Sequence, residues 1–297
     1  MSKPIIALLY DFDRTLSTQD MQNYQFIPSL NMEPDAIWKE ANKFARDNKM
    51  DGILAYMYVM IEKAKEKGVS FRRETLVKMG KNIDFFEGVE SWFDRINRFG
   101  ARQGVSVEHY VISSGLREII EGCAIRDRFK EIFACEFLYD KKGNPVWPKV
   151  SVNYTNKTQF IYRINKGILD ISNDKDLNAS MPENNKRIRF SNMVYLGDGL
   201  SDVPCMKMVK AYGGKSIAVY DPAQSTDAAK MAKVEELLRK ERVDYIYPAD
   251  YRENSPLETT IKNIIKMMAS EDVLSSESQR QTEEVTEDAT GEVTGEK

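Results

Sequence analysis

Near its N-terminus the chain reads Ile5-Ile6-Ala7-Leu8-Leu9-Tyr10-Asp11-Phe12-Asp13-Arg14-Thr15, an apolar run followed at once by two acidic residues. The run predicts a short buried β-strand. Alternate residues of a strand point the same way, so Asp11 and Asp13 can converge on one point. Two converging carboxylates repel unless a cation or a shared proton compensates them, and an oxygen-only pair suits a hard metal such as Mg2+. The alternative is an ordinary solvated acidic loop.

Size and charge limit the class of protein. The 297 residues are 42% hydrophobic and carry a formal net charge of -3, which allows one large α/β domain or a domain with a smaller partner. Because this net charge gives no overall positive electrostatic field, neither nucleic acid nor an anionic membrane is predicted as a partner. No segment approaches the roughly 18 uninterrupted apolar residues of a membrane span. The first apolar run, interrupted by Asp11, does not resemble a signal peptide.

The thiol and imidazole groups are few. The three cysteines are Cys123, Cys135 and Cys205, and none forms a C-x-x-C pair. Buried free thiols in a reducing compartment are the simplest account, which predicts a cytoplasmic protein. His109 is the single histidine. A His-rich zinc site is therefore nearly excluded, and any Ser-His or Cys-His base would have to be this residue.

Strand and helix patterns alternate along the chain. Helical patterns occupy residues 91–99, 158–165 and 228–240, between segments rich in branched and aromatic residues. This alternation predicts an α/β fold, a Rossmann-like, doubly wound and mainly parallel sheet whose ligands bind beyond the carboxyl ends of the strands. The predicted strands are 5–12, 109–113, 193–196, 216–220 and 243–247, with a hairpin over 133–152.

The domain division follows from the spacing of these elements. Almost a hundred residues separate the first two predicted strands, far more than one crossover needs. Helical patterns at 35–48, 52–67 and 71–79 predict an inserted helical cap over residues 18–85. The core then comprises residues 1–17 and 86–268. The Ser/Thr/Glu-rich stretch 269–297 is predicted to be a disordered acidic tail.

Two further strand ends carry groups suited to a phosphate. Ser113-Ser114-Gly115 follows the second strand and precedes a helical stretch, where a hydroxyl and backbone N–H groups can bind an anion. An ordinary helix N-cap is the alternative. Lys157 stands where a later helix begins, and its ammonium can neutralise a phosphate and hold a carboxylate ionised. Alone, such a lysine would be read as a solvated surface charge.

A last strand end supplies more carboxylates. Gly197-Asp198-Gly199-Leu200-Ser201-Asp202 follows an apolar segment directly. Its glycines let the backbone approach a ligand closely, and Asp198 and Asp202 can ligate a metal or anchor a metal-bound water. A tight Asp-Gly turn is the alternative, but it does not explain the second acidic residue.

Together the four pieces resemble the haloacid dehalogenase (HAD) superfamily of phosphohydrolases, whose pattern is D-x-D-x-T, hydrophobic-S/T, Lys and G-D-G-x-x-D in this order. The resemblance covers most of residues 5–225. It implies that Asp11 is the nucleophile forming an aspartyl-phosphate and Asp13 the general acid and base. It also implies that the Asp11 and Asp198 carboxylates and the Asp13 carbonyl bind Mg2+, while Asp202 hydrogen-bonds a water or Lys157.

The resemblance also assigns the phosphate-binding groups, which are Thr15, Ser113, Ser114, Gly115 and Lys157. Thr15 would mainly buttress the first loop, and Ser113 and Lys157 would hold the phosphoryl group. Lys166 is a weaker competitor for the lysine role, because a polar insertion over residues 173–187 lengthens the spacing to Asp198.

The position of the insertion resembles the C1 cap of the phosphoserine phosphatase-like branch. There, an acid nine residues after the nucleophile recognises the substrate amino group, which points to Asp20, although the branch usually has glutamate. Asp20 could equally cap the first cap helix. Arg72 or Arg73 could bind a substrate carboxylate, or be solvated charges.

The sequence therefore predicts a Mg2+-dependent phosphatase that hydrolyses a small phosphorylated metabolite. A phosphomutase using the same two aspartates and a non-catalytic phosphate-binding protein are the alternatives. Neither the substrate nor the oligomeric state follows from the sequence.

Overall fold

In a computed structural model, residues 3–292 of the protein are described, and they fold around one seven-stranded sheet. The strands are β1 (Ile5–Tyr10), β2 (Ser106–Leu116), β3 (Glu131–Tyr139), β4 (Pro145–Val150), β5 (Met193–Gly197), β6 (Lys215–Tyr220) and β7 (Tyr245–Pro248). Their order across the sheet is β4-β3-β2-β1-β5-β6-β7, and all neighbours are parallel except β3 and β4, which form the predicted hairpin. The predicted α/β fold class is confirmed.

The first strand, β1, lies at the centre of the sheet because its residues are apolar on both faces. Residues 6–10 are fully buried, as is usual for a parallel strand covered by helices on both sides. β1 pairs with β2 on one side and with β5 on the other. The strand order therefore reverses at β1, and such a switch point opens a crevice at the carboxyl end of the strand. Asp11 follows β1 at this crevice.

The long connection between β1 and β2 is mostly helical, as predicted. An antiparallel bridge between Ser17 and Phe85 closes its base. The division of the chain into a cap (residues 18–85) and a core (residues 1–17 and 86–268) remains a prediction. The helices of this connection are α1 (Phe26–Ser29), α2 (Pro34–Asn48), α3 (Gly52–Lys67) and α4 (Arg73–Met79), followed by α5 (Val89–Arg102), which leads into β2.

The remaining helices connect or cover the later strands. They are α6 (Arg117–Glu121), α7 (Lys157–Lys166), α8 (Asp174–Asn178), α9 (Val203–Ala211), α10 (Ala228–Arg239) and α11 (Pro256–Glu292). The polar insertion over residues 173–187 contains α8 and a short 3-10 turn, Glu183–Asn185.

The C-terminal stretch differs from the sequence expectation of disorder. Helix α11 continues through Glu292, and residues 293–297 lie outside the described residues. Tertiary contacts hold its middle, since the Asn192 side-chain amide donates to Asp272 Oδ2 at 2.8 Å and Arg189 donates to Ser275 at 3.2 Å. The amino-acid composition of this stretch could not predict these contacts, because they depend on residues about 80 positions earlier in the chain.

The single histidine, His109, is a structural residue of β2. Its Nε2 donates to Asn97 Oδ1 at 2.9 Å, and its Nδ1 accepts from the Tyr10 hydroxyl at 3.0 Å. The Tyr10 hydroxyl in turn accepts from Trp92 Nε1. Burial lowers the pKa of His109 to about 3, so the ring is neutral. With both nitrogens occupied inside the core, it is not available as a catalytic base.

The thiols agree with the sequence prediction, because Cys123, Cys135 and Cys205 are all buried and free. Within residues 3–292, no helix is both long and apolar enough to cross a membrane.

Candidate active site

The first acidic loop is a tight turn at the end of β1. The Asp11 N–H donates to the Leu196 carbonyl at 2.9 Å, which fixes Asp11 beside the end of β5. The Phe12 carbonyl then accepts from the N–H groups of Thr15, Leu16 and Ser17 at 2.9–3.3 Å. The turn places Arg14 in the left-handed region, with φ 57°, which costs an ordinary residue about 1 kcal/mol. It leaves the Asp11 side chain buried and that of Asp13 half-buried.

A buried lysine connects the first and last motifs. Lys157, the first residue of α7, is 1% exposed and donates to Asp11 Oδ1 at 3.0 Å and to Asp202 Oδ1 at 2.8 Å. Burial opposes the charged form, but the Asp11 and Asp202 carboxylates outweigh it and raise the pKa of Lys157 above its usual value. The Tyr195 hydroxyl also donates to Asp202 Oδ1, at 2.7 Å. The sequence-predicted contact between Asp202 and Lys157 is therefore present.

The acidic residues of the first and last motifs form one cluster. Carboxylate oxygens of Asp11, Asp198 and Asp202 lie within 4.8 Å of one another. Burial first, and then the charge of Asp202, raise the pKa of Asp11 to about 7, although Lys157 lowers it. The same two causes raise the pKa of Asp198 well above its usual range. Three crowded oxygen donors, of which Asp11 and Asp198 have raised pKa values, fit a hard divalent cation such as Mg2+.

The second aspartate of the first loop has the properties of a proton donor. Asp13 Oδ1 accepts from the Met21 N–H at 2.8 Å. Burial, together with the nearby carboxylates of Asp20 and Asp11, raises the pKa of Asp13 well above its usual value. A raised pKa favours the protonated form of this carboxyl group, which is the form that a general acid needs.

The Ser-Ser-Gly motif belongs to the end of β2 and does not cap a helix. Helix α6 begins after Leu116, so the N-cap alternative for these serines is wrong. Ser113 Oγ accepts from the Gly115 N–H at 3.0 Å, and Ser114 Oγ is buried without a hydrogen-bond partner among the described residues. A Cβ at Gly115 would overlap Met21 and come within 3.0 Å of Asp13 Oδ2, so glycine allows this close approach.

A cavity of about 680 Å³ joins these groups at the carboxyl ends of the strands. Asp11, Asp13, Ser113, Ser114, Lys157 and Asp198 all line it, whereas Thr15 and Gly115 do not. Thr15 lies behind the loop, where its carbonyl accepts from the Tyr251 hydroxyl at 2.7 Å. Its position agrees with a buttressing residue more than with a phosphate ligand.

The two remaining candidate residues, Asp20 and Lys166, differ in whether they reach the cavity. Asp20 lines the cavity, but Arg14 donates to both of its carboxylate oxygens, at 3.1 and 2.9 Å. Asp20 precedes the 3-10 turn Met21–Asn23, yet its side chain makes no capping hydrogen bond. Lys166 points elsewhere and donates to the carbonyls of Leu177 and Ala179.

The two arginines proposed for a substrate carboxylate are not at the site. Arg72 precedes α4 and Arg73 begins it, and neither lines the cavity. Arg73 pairs instead with Glu121.

Sequence reasoning missed the groups that the helical insertion contributes to the cavity. Gln22, Trp38 and Tyr56 line it from this side, and the Tyr56 hydroxyl donates to the Ser114 carbonyl at 2.6 Å, which ties α3 to β2. The helical spacing of Trp38, Ala41 and Asn42 predicts a shared face of α2. It does not predict which structure that face meets.

The chain is similar to known proteins both in sequence and in fold. An uncharacterized protein of Borreliella burgdorferi is 29% identical over 229 residues, which cover 69% of this chain and 78% of that protein. Among solved structures, a substrate-bound phosphoserine phosphatase complex has a TM-score of 0.50 at 18% identity, covering 82% of this chain and 93% of the other.

A probable phosphoserine phosphatase from Vibrio cholerae has a TM-score of 0.53 at 12% identity, covering 91% of this chain and 67% of the other. At these identities the two structures show a shared fold and nothing finer. The family model for haloacid dehalogenase-like hydrolases matches residues 8–207. This match covers more than half of the chain and includes all four motifs, so the chain belongs to the haloacid dehalogenase-like hydrolase family.

Proposed function

We propose that the protein is a Mg2+-dependent phosphatase that hydrolyses a small phosphomonoester through an aspartyl-phosphate on Asp11. The observation that carries this proposal is the pairing of two unlike aspartates in one cavity. Asp11 accepts a hydrogen bond from the buried ammonium of Lys157 at 3.0 Å, which offsets part of the rise in the pKa of Asp11, whereas no lysine or arginine of the described chain donates to Asp13, whose pKa is raised well above its usual value. A nucleophile must be ionised and a general acid must be protonated, and these surroundings favour that division.

In the first step, a carboxylate oxygen of Asp11 attacks phosphorus and the bond to the leaving oxygen breaks. Asp13 gives its proton to that oxygen, so the alcohol leaves neutral. In the second step, Asp13 takes a proton from water, whose oxygen attacks the phosphorus of the aspartyl-phosphate. Inorganic phosphate leaves, Asp11 is regenerated as a carboxylate, and Asp13 is protonated again.

The acidic cluster provides ligands for the cation. The Asp11 and Asp198 carboxylates and the Asp13 carbonyl would hold Mg2+, which would neutralise charge on the transferring phosphoryl group. Asp202 belongs to the same cluster, but Lys157 and Tyr195 both donate to its Oδ1. Its proposed role is therefore to position Lys157, which with Ser113 would contact the phosphoryl oxygens.

The proposal also covers the cellular location of the protein, the size of its substrate and its branch of the family. The three buried free thiols support a cytoplasmic location. The cavity of about 680 Å³ is of the size that holds a small metabolite. The family membership and the fold shared with phosphoserine phosphatases support the phosphatase branch of the family.

Turnover of an aryl phosphate with Mg2+ tests the proposal directly. We expect Asp11→Asn to lower kcat by at least about a thousandfold, as for other nucleophile replacements. Asp13→Asn should lower it by about 10²–10⁴-fold, the range of general acid catalysis. EDTA should abolish turnover, and added Mg2+ should restore it.

Asp127→Asn is a matched control, because Asp127 is exposed and lies outside the cavity. Release of one free phosphate per substrate consumed separates a phosphatase from a phosphomutase. Full activity of Asp11→Asn, or of the wild type in EDTA, contradicts the mechanism.

A further inference from the structure

We propose that Tyr56 and Asp51, both at the start of α3, are positioning residues that hold the two phosphate-binding segments of the site in place. The inference rests on the phosphatase function proposed above, in which Ser113 and Lys157 contact the phosphoryl oxygens. Neither Tyr56 nor Asp51 needs to touch the substrate. Each acts through a single amide group, which is hydrogen-bonded to α3 on one side and to a phosphate-binding segment on the other.

The first of these amide groups is the peptide between Ser114 and Gly115. Its carbonyl accepts from the Tyr56 hydroxyl at 2.6 Å, and its N–H donates to Ser113 Oγ at 3.0 Å. Cys135 Sγ is the other side chain that donates to the same carbonyl, at 3.3 Å, and a thiol is a weak donor. The Tyr56 hydroxyl is therefore the stronger of the two groups that fix the orientation of this peptide.

The orientation of this peptide decides what the Ser113 hydroxyl can do. Because Ser113 Oγ accepts from the Gly115 N–H, its own hydrogen is left to donate, and it has no other hydrogen-bond partner within residues 3–292. Ser113 lines the cavity, and a phosphoryl oxygen is an acceptor. Hydrogen bonds in a chain polarise one another, so the bond from Tyr56 strengthens the Gly115 N–H as a donor. Loss of the Tyr56 hydroxyl should therefore weaken the binding of phosphate at Ser113.

The second amide group is the side chain of Asn153, in the loop before α7. Its Nδ2 donates to Asp51 Oδ2 at 3.0 Å, while its Oδ1 accepts from the N–H groups of Thr155 and Asn156 at 3.1 and 2.9 Å. The Asn153 carbonyl accepts in turn from the Lys157 N–H at 3.1 Å. The loop that leads into Lys157 is thus folded around Asn153, and Asp51 ties that residue to α3.

The two contacts differ in burial. Tyr56 is 5% exposed, whereas Asp51 lies at the surface, where water competes for its hydrogen bonds. The Lys157 ammonium is also held directly by Asp11 and Asp202. We therefore expect the Tyr56 contact to matter more for phosphate binding than the Asp51 contact.

Binding of inorganic phosphate in the presence of Mg2+, measured by isothermal titration calorimetry, tests the Tyr56 contact. Tyr56→Phe should raise Kd by about tenfold, which corresponds to the loss of one hydrogen bond. Tyr247→Phe is the matched control and should leave Kd unchanged, because the Tyr247 hydroxyl hydrogen-bonds Thr260 and the residue lies outside the cavity. If Tyr56→Phe lowers Tm but leaves Kd unchanged at a temperature at which it is folded, the contact only stabilises the fold and the positioning role of Tyr56 is overturned.

An exchange of side chains tests the Asp51 contact. Asparagine caps a helix as well as aspartate does, so Asp51→Asn keeps an acceptor for the N–H groups of Ile53 and Leu54. It sets two amide NH2 groups against each other, and Asn153→Asp sets two carboxylates against each other. The double variant Asp51→Asn/Asn153→Asp restores the hydrogen bond with donor and acceptor exchanged.

Each single variant should raise Kd for phosphate by about threefold or more, and the double variant should return it to within about twofold of the wild type. The values of kcat/KM for an aryl phosphate should follow the same order. Asp227→Asn is the matched control and should change neither, because Asp227 caps α10 in the same way and lies outside the cavity. If the double variant binds phosphate no better than the two single variants, the positioning role of Asp51 is overturned.

The outcomes separate the positioning roles from the function on which they rest. If the wild type with Mg2+ does not hydrolyse an aryl phosphate, the phosphatase function fails, and the Kd values for phosphate still decide the positioning roles. If the wild type hydrolyses it and no variant at Tyr56, Asp51 or Asn153 changes Kd or kcat/KM, the positioning roles are overturned and the phosphatase function stands. If the wild type neither hydrolyses the aryl phosphate nor binds phosphate, both are overturned.

Discussion

Removal of the buried ammonium of Lys157 should reduce both activity and stability. In Lys157→Met, the carboxylates of Asp11 and Asp202 lose the cation that contacts them at 3.0 and 2.8 Å. Breaking a buried ion pair by removing one partner costs about 3–5 kcal/mol, because the remaining charge is left uncompensated. With about 2–4 °C per kcal/mol for a chain of this size, Tm should fall by roughly 6–20 °C.

The measurement is urea unfolding in EDTA, so that no metal replaces the missing charge, combined with turnover in Mg2+. The loss of stability should also depend on pH. The pKa of Asp11 is already raised to about 7, and Lys157 lowers it, so the variant raises it further. An acid whose pKa is higher in the folded state loses stability as pH rises. The difference from the wild type should therefore be larger at pH 8 than at pH 6.

A second substitution distinguishes charge from packing. Asp202→Asn in the Lys157→Met background removes one uncompensated charge and keeps the acceptor for the Tyr195 hydroxyl. We expect it to recover about 1–3 kcal/mol of stability without recovering turnover. If Lys157→Met is as stable as the wild type, or if Asp202→Asn adds to its loss, the two carboxylates are not held by this ammonium and the reasoning is refuted.

Two further predictions concern pH and close packing. Unfolded histidine binds a proton near pH 6.5, whereas the pKa of His109 is about 3 in the folded protein, so stability should fall as pH drops. Between pH 7 and pH 5 the wild type should lose about 2 kcal/mol more than His109→Gln, by urea unfolding, and equal losses would contradict the buried neutral ring. A Cβ at Gly197 would lie 2.6 Å from the Asp202 carboxyl group, so Gly197→Ala should cost about 1–3 kcal/mol and reduce turnover. Gly199→Ala, whose Cβ would meet only Ser201 Oγ at 3.9 Å, should change stability little, and equal effects of the two would argue against the predicted clash.

The fold and the chemical groups of the site were predictable because polar residues interrupt apolar strands at positions that a parallel sheet brings together. The choice between two lysines was also within reach of the sequence. Lys166 lies nine residues after Lys157 in α7, which at about 100° per residue places it on the opposite side of the helix. Only one of them can face the sheet edge, and the structure shows that it is Lys157.

The substrate end of the site was not predictable, because its properties depend on which partner each polar group finds. Asp20 stands out in the sequence, but nothing local indicates that Arg14 would occupy both of its oxygens. Gln22 and Trp38 look like ordinary residues of a helical insertion. Their unpaired atoms result from how that insertion packs on the core.

The central position of β1 has a consequence for the newly synthesised chain. Asp11 leaves the ribosome about 190 residues before Asp202, which at 5–20 residues per second is a delay of roughly 10–40 s. During this interval β1 lacks β5, so one apolar strand edge is open to aggregation or to a chaperone. The nascent chain also lacks Asp198 and Asp202 until late in synthesis. Fragments that end before this point therefore cannot assemble the acidic cluster, and the proposed phosphatase activity would begin only once the sheet can be completed.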